Sequence, residues 1–155
     1  MGNTCLIYWV NKMDNMSLIN IINFPVLGDG RGTLVALEAN RQIPFEIKRV
    51  YYIYGTAQGV ARGFHAHKAL KQVAICLKGS CRFVMDDGKD KQEVILAKPD
   101  KGLLIDAMQW HEMYDFSNDC VLMVLADQVY DESDYIREYS KFIEAVNNHV
   151  HSSAK

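Results

Sequence analysis

Histidine is scarce in this chain, and its placement is the first sign of chemistry. Five occur in 155 residues, and two of them, His149 and His151, lie in the polar C-terminal tail. His65 and His67 stand two apart in the run Arg62-Gly-Phe-His-Ala-His-Lys68, just ahead of an apolar stretch that begins at Gln72. Side chains two apart on an extended chain share a face, so both imidazoles point the same way. His111 joins them as one site if the fold brings its strand alongside. Paired histidines inside a sheet suit either metal ligation or proton transfer near neutral pH. The plainer alternative is two surface histidines beside a turn.

Positioning such a pair is the task of the elements around it. Residues 18–24, 33–37 and 47–54 read as strands, with a glycine-rich turn over 28–32 between the first two. The pattern continues through 72–77, 81–85, 92–96, 103–106, 111–116 and 121–126, and Asp86-Asp87-Gly88-Lys89 is a hairpin signal. Many short strands with close turns predict an all-β antiparallel sandwich, jelly roll or barrel. One C-terminal α-helix should follow. Asp131-Glu-Ser-Asp134 resembles an N-cap with an acidic first turn, and Tyr135, Ile136, Tyr139, Phe142, Ile143, Val146 and Val150 recur at helical spacing. Residues 147–155 are expected to fray.

Length and 49% hydrophobic content fit one domain over residues 17–155, with residues 1–16 read as an N-terminal extension. A net charge of -2 gives no basic field for nucleic acid, and no apolar run reaches membrane-span length. Cys5, Cys76, Cys81 and Cys120 are scattered rather than spaced as metal ligands. They read as buried thiols of a reducing, cytoplasmic setting.

His65 and His67, followed by Pro99, Gly102 and the later His111, resemble the ligand order of metal-binding cupins. Gln72 stands where the acidic ligand would be, and an amide is a poorer ligand for a hard divalent ion than a carboxylate. The expectation is therefore no metal and no cofactor. A closer resemblance runs from about residue 18 to the C-terminal helix. Arg31-Gly-Thr-Leu-Val35, Ile43-Pro-Phe-Glu-Ile-Lys-Arg-Val-Tyr-Tyr52, Arg62 to His67, Trp110-His-Glu-Met113 and Val129-Tyr-Asp-Glu-Ser-Asp-Tyr135 together resemble the WxcM-like sugar 3,4-ketoisomerases. These are cupin-type enzymes acting on dTDP-4-keto-6-deoxyglucose.

The resemblance implies a metal-independent isomerase of deoxysugar biosynthesis that takes a proton from C3, passes through an enediol and returns a proton at C4. Its overall similarity leans to the galacto product. His67 is the first choice as base, with His65 moving the proton among the oxygens or to C4. Tyr52 and Arg62 are the expected donors to developing negative charge. Strand alternation predicts that Tyr52 and Arg49 face opposite sides, so one of them should point away. Arg31, Arg49 and Arg62 are candidates for the diphosphate, and His111 for a sugar contact. The resemblance also implies a homodimer that exchanges N-terminal strands. A metal-dependent cupin enzyme, a nucleotide-sugar epimerase and a catalytically silent sugar-binding cupin are the alternatives.

Overall fold

The run Gln72-Val-Ala-Ile-Cys-Leu has no polar alternation, which is what a strand covered on both faces requires. Five of its residues in succession are buried. The computed structural model describes residues 17–152, so the expected extension over residues 1–16 and Cys5 lie outside the described residues. The strands are β1 (Asn20–Asn23), β2 (Val26–Asp29), β3 (Gly32–Val35), β4 (Arg49–Tyr54), β5 (Arg62–His67), β6 (Gln72–Lys78), β7 (Cys81–Asp86), β8 (Lys91–Leu96), β9 (Lys101–Ile105), β10 (Trp110–Tyr114), β11 (Val121–Ala126) and β12 (Tyr135–Ile136). A 3-10 turn, Glu132–Asp134, precedes β12, and helix α1 (Tyr139–Ser152) follows it.

Two five-stranded sheets, ordered β1-β9-β6-β11-β4 and β12-β5-β10-β7-β8, face each other, with every strand pairing antiparallel. This is the expected all-β jelly roll with one C-terminal helix. Between the sheets lie Ala74, Cys76, Phe83, Met85, Leu103, Met113, Leu122 and Val124. The outer face of the first sheet carries Val73, Ile75 and Leu125 under Ile43 and Phe45. On the outer face of the second, Ala66 and Trp110 pack against Phe142 of α1. None of the helices among the described residues is long and apolar enough to cross a membrane.

Two boundaries differ from the sequence expectation. Gly28 and Asp29 belong to β2 and Gly32 to β3, leaving Gly30-Arg31 as a two-residue hairpin loop. The resulting ribbon β2–β3 forms its own two-stranded sheet, while β1 pairs with β9. Asp131 does act as an N-cap, accepting a hydrogen bond from the Ser133 backbone N–H, but it caps the 3-10 turn rather than α1. Tyr135 and Ile136 leave helical geometry because their backbone pairs with His67 and Ala66 of β5. The helix starts at Tyr139 and runs to Ser152, past the expected start of fraying.

The decisive local feature is a β-bulge in β5. His111 pairs with His65 and Glu112 with Gly63, which leaves Phe64 as an extra residue. Gly63 and Phe64 both have positive φ, 89° and 58°. A Cβ on Gly63 would lie 2.7 Å from the His111 carbonyl oxygen and 3.2 Å from the Glu112 Cα, so only glycine fits there. The extra residue also reverses the alternation of the strand. Arg62 pairs with Met113 and therefore comes to the same side as His65, three positions on. Gly63→Ala is expected to lower unfolding free energy by on the order of 2 kcal/mol, from clash and backbone strain together. Chemical denaturation checks this, and a change within a few tenths of a kcal/mol would remove the bulge as a determinant of the fold.

Candidate active site

The second sheet places all three histidines on its inner side. The His65 and His67 ring centroids are 4.9 Å apart, His65 and His111 4.5 Å, and His67 and His111 6.1 Å. One ring nitrogen from each lies within 4.8 Å of the others. Tyr135 closes the group, with its ring 5.0 Å from His65 and 4.3 Å from His67.

Each imidazole has its Nδ1 next to an oxygen acceptor: Gly63 O at 3.0 Å for His65, Asp134 Oδ2 at 3.0 Å for His67 and Gln109 O at 3.3 Å for His111. An oxygen acceptor fixes the tautomer with the proton on Nδ1 and leaves Nε2 as the lone pair. His67 Nε2 is buried and has no hydrogen-bond partner among the described residues. Asp134 is itself held, accepting from the Ala69 N–H at 2.9 Å and the Leu70 N–H at 3.4 Å. Burial pushes the imidazoles down from their ordinary value of 6.5, His67 to about 4 and His111 to about 3, and His65 in the same direction. At neutral pH all three are neutral bases.

In front of the histidines opens a cleft of about 420 Å³, lined by Arg49, Tyr51, Ile53, Arg62, Gly63, His65, Met113, Tyr130, Tyr135 and Arg137. His65 reaches this cleft, whereas His67 and His111 lie behind it, 2% and 3% exposed. Arg49 sits over the rings of Tyr51 and Tyr130 at 5.4 and 5.7 Å. Its Nε is buried without a partner among the described residues. Arg137 is engaged by Glu132 through two bonds, Nε to Oε1 at 2.7 Å and Nη2 to Oε2 at 2.9 Å. The cleft thus presents the guanidinium groups of Arg49 and Arg62, with Arg137 paired to Glu132, an arrangement that suits an anionic ligand.

Of the residues expected at the site, His65, His67, His111, Arg49 and Arg62 come together. Tyr52 does not. On β4, Arg49, Tyr51 and Ile53 face the cleft and Tyr52 faces outward, 64% exposed, because strand alternation separates it from Arg49. Arg31 is also elsewhere in this chain, at the tip of the β2–β3 ribbon, where its guanidinium engages Asp29. Tyr51, Asp134, Tyr135, Tyr130 and Arg137 are site residues that the sequence reading missed. The Tyr51 signal was the alternation itself. Asp134 and Tyr135 were concealed by a helix-like pattern.

Three neutral imidazoles at this spacing could hold a divalent ion. The buried Gln72 side chain contributes no charge, and its Oε1 already accepts the Tyr51 hydroxyl at 2.7 Å. Burial pushes Tyr51 up to about 12, so it stays a donor. Trp110, on the far side of the sheet, is a core residue whose Nε1 donates to Glu112 Oε1 at 2.9 Å.

Comparison with known proteins adds to this geometry. The family described as WxcM-like, C-terminal (FdtA) matches residues 16–147. The TDP-4-oxo-6-deoxy-alpha-D-glucose-3,4-oxoisomerase of Aneurinibacillus thermoaerophilus is 57% identical over 122 residues, 79% of this chain and 88% of that protein. The crystal structure of a 3,4-ketoisomerase from Helicobacter canadensis is 48% identical with a TM-score of 0.81, covering 83% of this chain and 97% of that one. A variant of the 3,4-ketoisomerase from Thermoanaerobacterium thermosaccharolyticum, crystallised with TDP-4-keto-6-deoxyglucose, is 40% identical with a TM-score of 0.82, covering 84% and 95%.

The depressed His67 value has a consequence for stability. Below its ordinary value of 6.5 the unfolded chain binds a proton that the folded chain refuses until about pH 4. The stabilisation is therefore complete above pH 6.5 and is lost as pH falls through that window. His67→Asn should flatten this pH dependence, by on the order of 2–3 kcal/mol between pH 7 and 4. Urea denaturation at a series of pH values measures it, and identical profiles for the two proteins would contradict the assignment.

Proposed function

The chain belongs to the WxcM-like, C-terminal (FdtA) family of TDP-sugar 3,4-ketoisomerases, and from that premise we propose how its cleft converts TDP-4-keto-6-deoxyglucose to a TDP-3-keto-6-deoxyhexose. The observation that carries the reading is the group of neutral, tautomer-fixed imidazoles behind a cationic cleft. Moving the ketone from C4 to C3 needs one base to take the C3 proton and one acid to supply C4. His65 is the imidazole that meets the cleft, so the geometry favours it for the C3 proton and reverses the order expected from sequence. His67 stands against it, oriented by Asp134, and serves as the second proton carrier. Arg49, with its unpartnered Nε, faces the charge of the enediolate. Arg62, at the rim, takes the diphosphate. The C4 configuration assigned is galacto, on resemblance.

The reaction in this reading needs no metal. A dication among three neutral imidazoles would have no carboxylate among its direct ligands, and Gln72 is committed to Tyr51. The setting is the cytoplasm, whose reducing conditions keep buried thiols free, and the product enters deoxysugar assembly for a surface polysaccharide.

A homodimer completes the site. The β2–β3 ribbon extends from the sandwich with Val26, Leu27 and Leu34 all at least half exposed. β4 is an edge strand whose outward residues Val50, Tyr52 and Tyr54 are exposed as well. Exchange of the ribbon would cover both surfaces at once and carry Arg31 to the partner. Tyr52 then belongs to the interface, which accounts for an exposed tyrosine on an apolar strand face.

NMR of the product formed from TDP-4-keto-6-deoxyglucose in deuterated water tests the reaction, its regiochemistry and its proton exchange. His65→Asn should lower turnover by about 10²–10⁴-fold with TDP affinity nearly unchanged, and His67→Asn by a similar or smaller factor. Full turnover in His65→Asn removes it as the base, and activity lost to chelator and restored by one ion refutes the metal-free reading. For assembly, sedimentation should give a dimer at micromolar concentration. A stable, fully active monomer would rule out the exchanged ribbon.

A further inference from the structure

The end of the sandwich away from the histidines holds a second cluster of chemically capable groups. Ala74 and Cys76 of β6 belong to the core between the sheets, and Gln72 lines the histidine cavity with Ala74. At about 3.3 Å per residue Cys76 lies roughly 13 Å along the strand from Gln72. There it meets Cys81, the first residue of β7, and Cys120, just before β11. All three are buried free thiols, and their sulfurs lie within 4.8 Å of one another. Cys76 Sγ and Cys120 Sγ are 3.8 Å apart. The three belong to the core cluster that also holds Leu18, Phe83, Leu96, Phe116 and Leu122, and the Lys78 carbonyl oxygen and the Asp119 carboxylate stand near them at this end.

Two sulfurs bonded to one ion at about 2.3 Å stand roughly 3.8–4.0 Å apart in tetrahedral or trigonal geometry. The Cys76–Cys120 pair already has the separation that coordination would impose, and Cys81 lies within 4.8 Å of both. The set holds sulfur alone, without imidazole or carboxylate, and soft donors select soft ions. It offers three donors, short of the four that structural zinc sites use.

We propose that Cys76, Cys81 and Cys120 form a three-sulfur site, separate from the catalytic cleft, for one soft monovalent d10 cation of the copper(I) class.

Donor type and number favour such a cation: three sulfurs match the trigonal coordination a soft d10 monocation accepts and fall short of the four-donor shell of structural zinc, and the thiols give up their protons on coordination. When protonated, Cys76 instead donates to the Lys78 carbonyl oxygen at 3.1 Å. The Gly79 turn packs against the Cys120 backbone and closes this end, so the ion would enter as the chain folds or through local opening.

The test uses the full chain with Cys5→Ser, so that the fourth cysteine cannot contribute. Refolded without oxygen in the presence of copper(I) and then challenged with a chromogenic copper(I) chelator, it should keep one ion per chain. X-ray absorption at the copper edge should show sulfur neighbours only. Cys81→Ala and Cys120→Ala should bring retention from one ion per chain to near none, with circular dichroism unchanged. Complete loss of copper to the chelator overturns the site, as does a nitrogen-containing shell, which would place the ion at the histidines. Undiminished retention in folded alanine variants also overturns it. If those variants fail to fold, the sulfur-only shell and retention in the Cys5→Ser chain decide the matter.

Discussion

The carboxylate of Asp134 joins the end of β5 to the C-terminal segment at the point where β12 pairs with that strand. It accepts the Nδ1–H of His67 and the backbone N–H groups of Ala69 and Leu70, while the backbone carbonyl of the same residue accepts from the Lys68 N–H. The end of β5 is thereby fastened to the turn that leads into β12 and α1. One anion fixes a tautomer, ends a strand and docks the C-terminal segment. Its neighbours make this affordable in a mostly dry place: a carboxylate that is 11% exposed has three donors around it.

The same arrangement explains why the histidines remain neutral beside an acid. Burial outweighs the pull of Asp134 on His67, and the neighbouring His65 works in the same direction as burial. A histidine on the surface beside a carboxylate would shift the other way. The site therefore contains lone pairs rather than charges at its inner end. Its positive charge is confined to the guanidinium groups of the cleft. That separation of neutral imidazoles from guanidinium groups follows depth within the sandwich, with His67 and His111 buried and the guanidinium groups lining the open cleft.

Much of this was legible in the sequence, and the failures have physical causes. Two-residue periodicity and turn chemistry identified most strands, and the alternation on β4 foresaw that Arg49 and Tyr52 would part, although not which would turn inward. The histidine pair was legible because alternate residues of a strand share a face, and the bulge at Phe64 falls before the pair rather than within it. Tyr135 and Ile136 were read as helical because their spacing fits α1, yet pairing with β5 overrides that local preference. The β2 strand was concealed within a glycine-rich stretch, since two-residue hairpin loops and longer turns share the same residue types. Asp134 could not be seen as a partner of His67 because the two are 67 positions apart and only the finished fold joins them.

The bulge at Phe64 couples the two sides of one sheet. On the outer side the Phe64 ring stands edge-on to Tyr114 at 5.9 Å, and Tyr114 donates to Glu112, which also receives Trp110. On the inner side the same displacement aligns Arg62 with His65. The strand turns at Gly63, with an aromatic ring in solvent on one side and the Arg62–His65 pair of the cleft on the other. Laboratory evolution that samples only the walls of the cleft would leave the Phe64–Tyr114 contact untouched, although it sits on the same bulge that sets Arg62 beside His65.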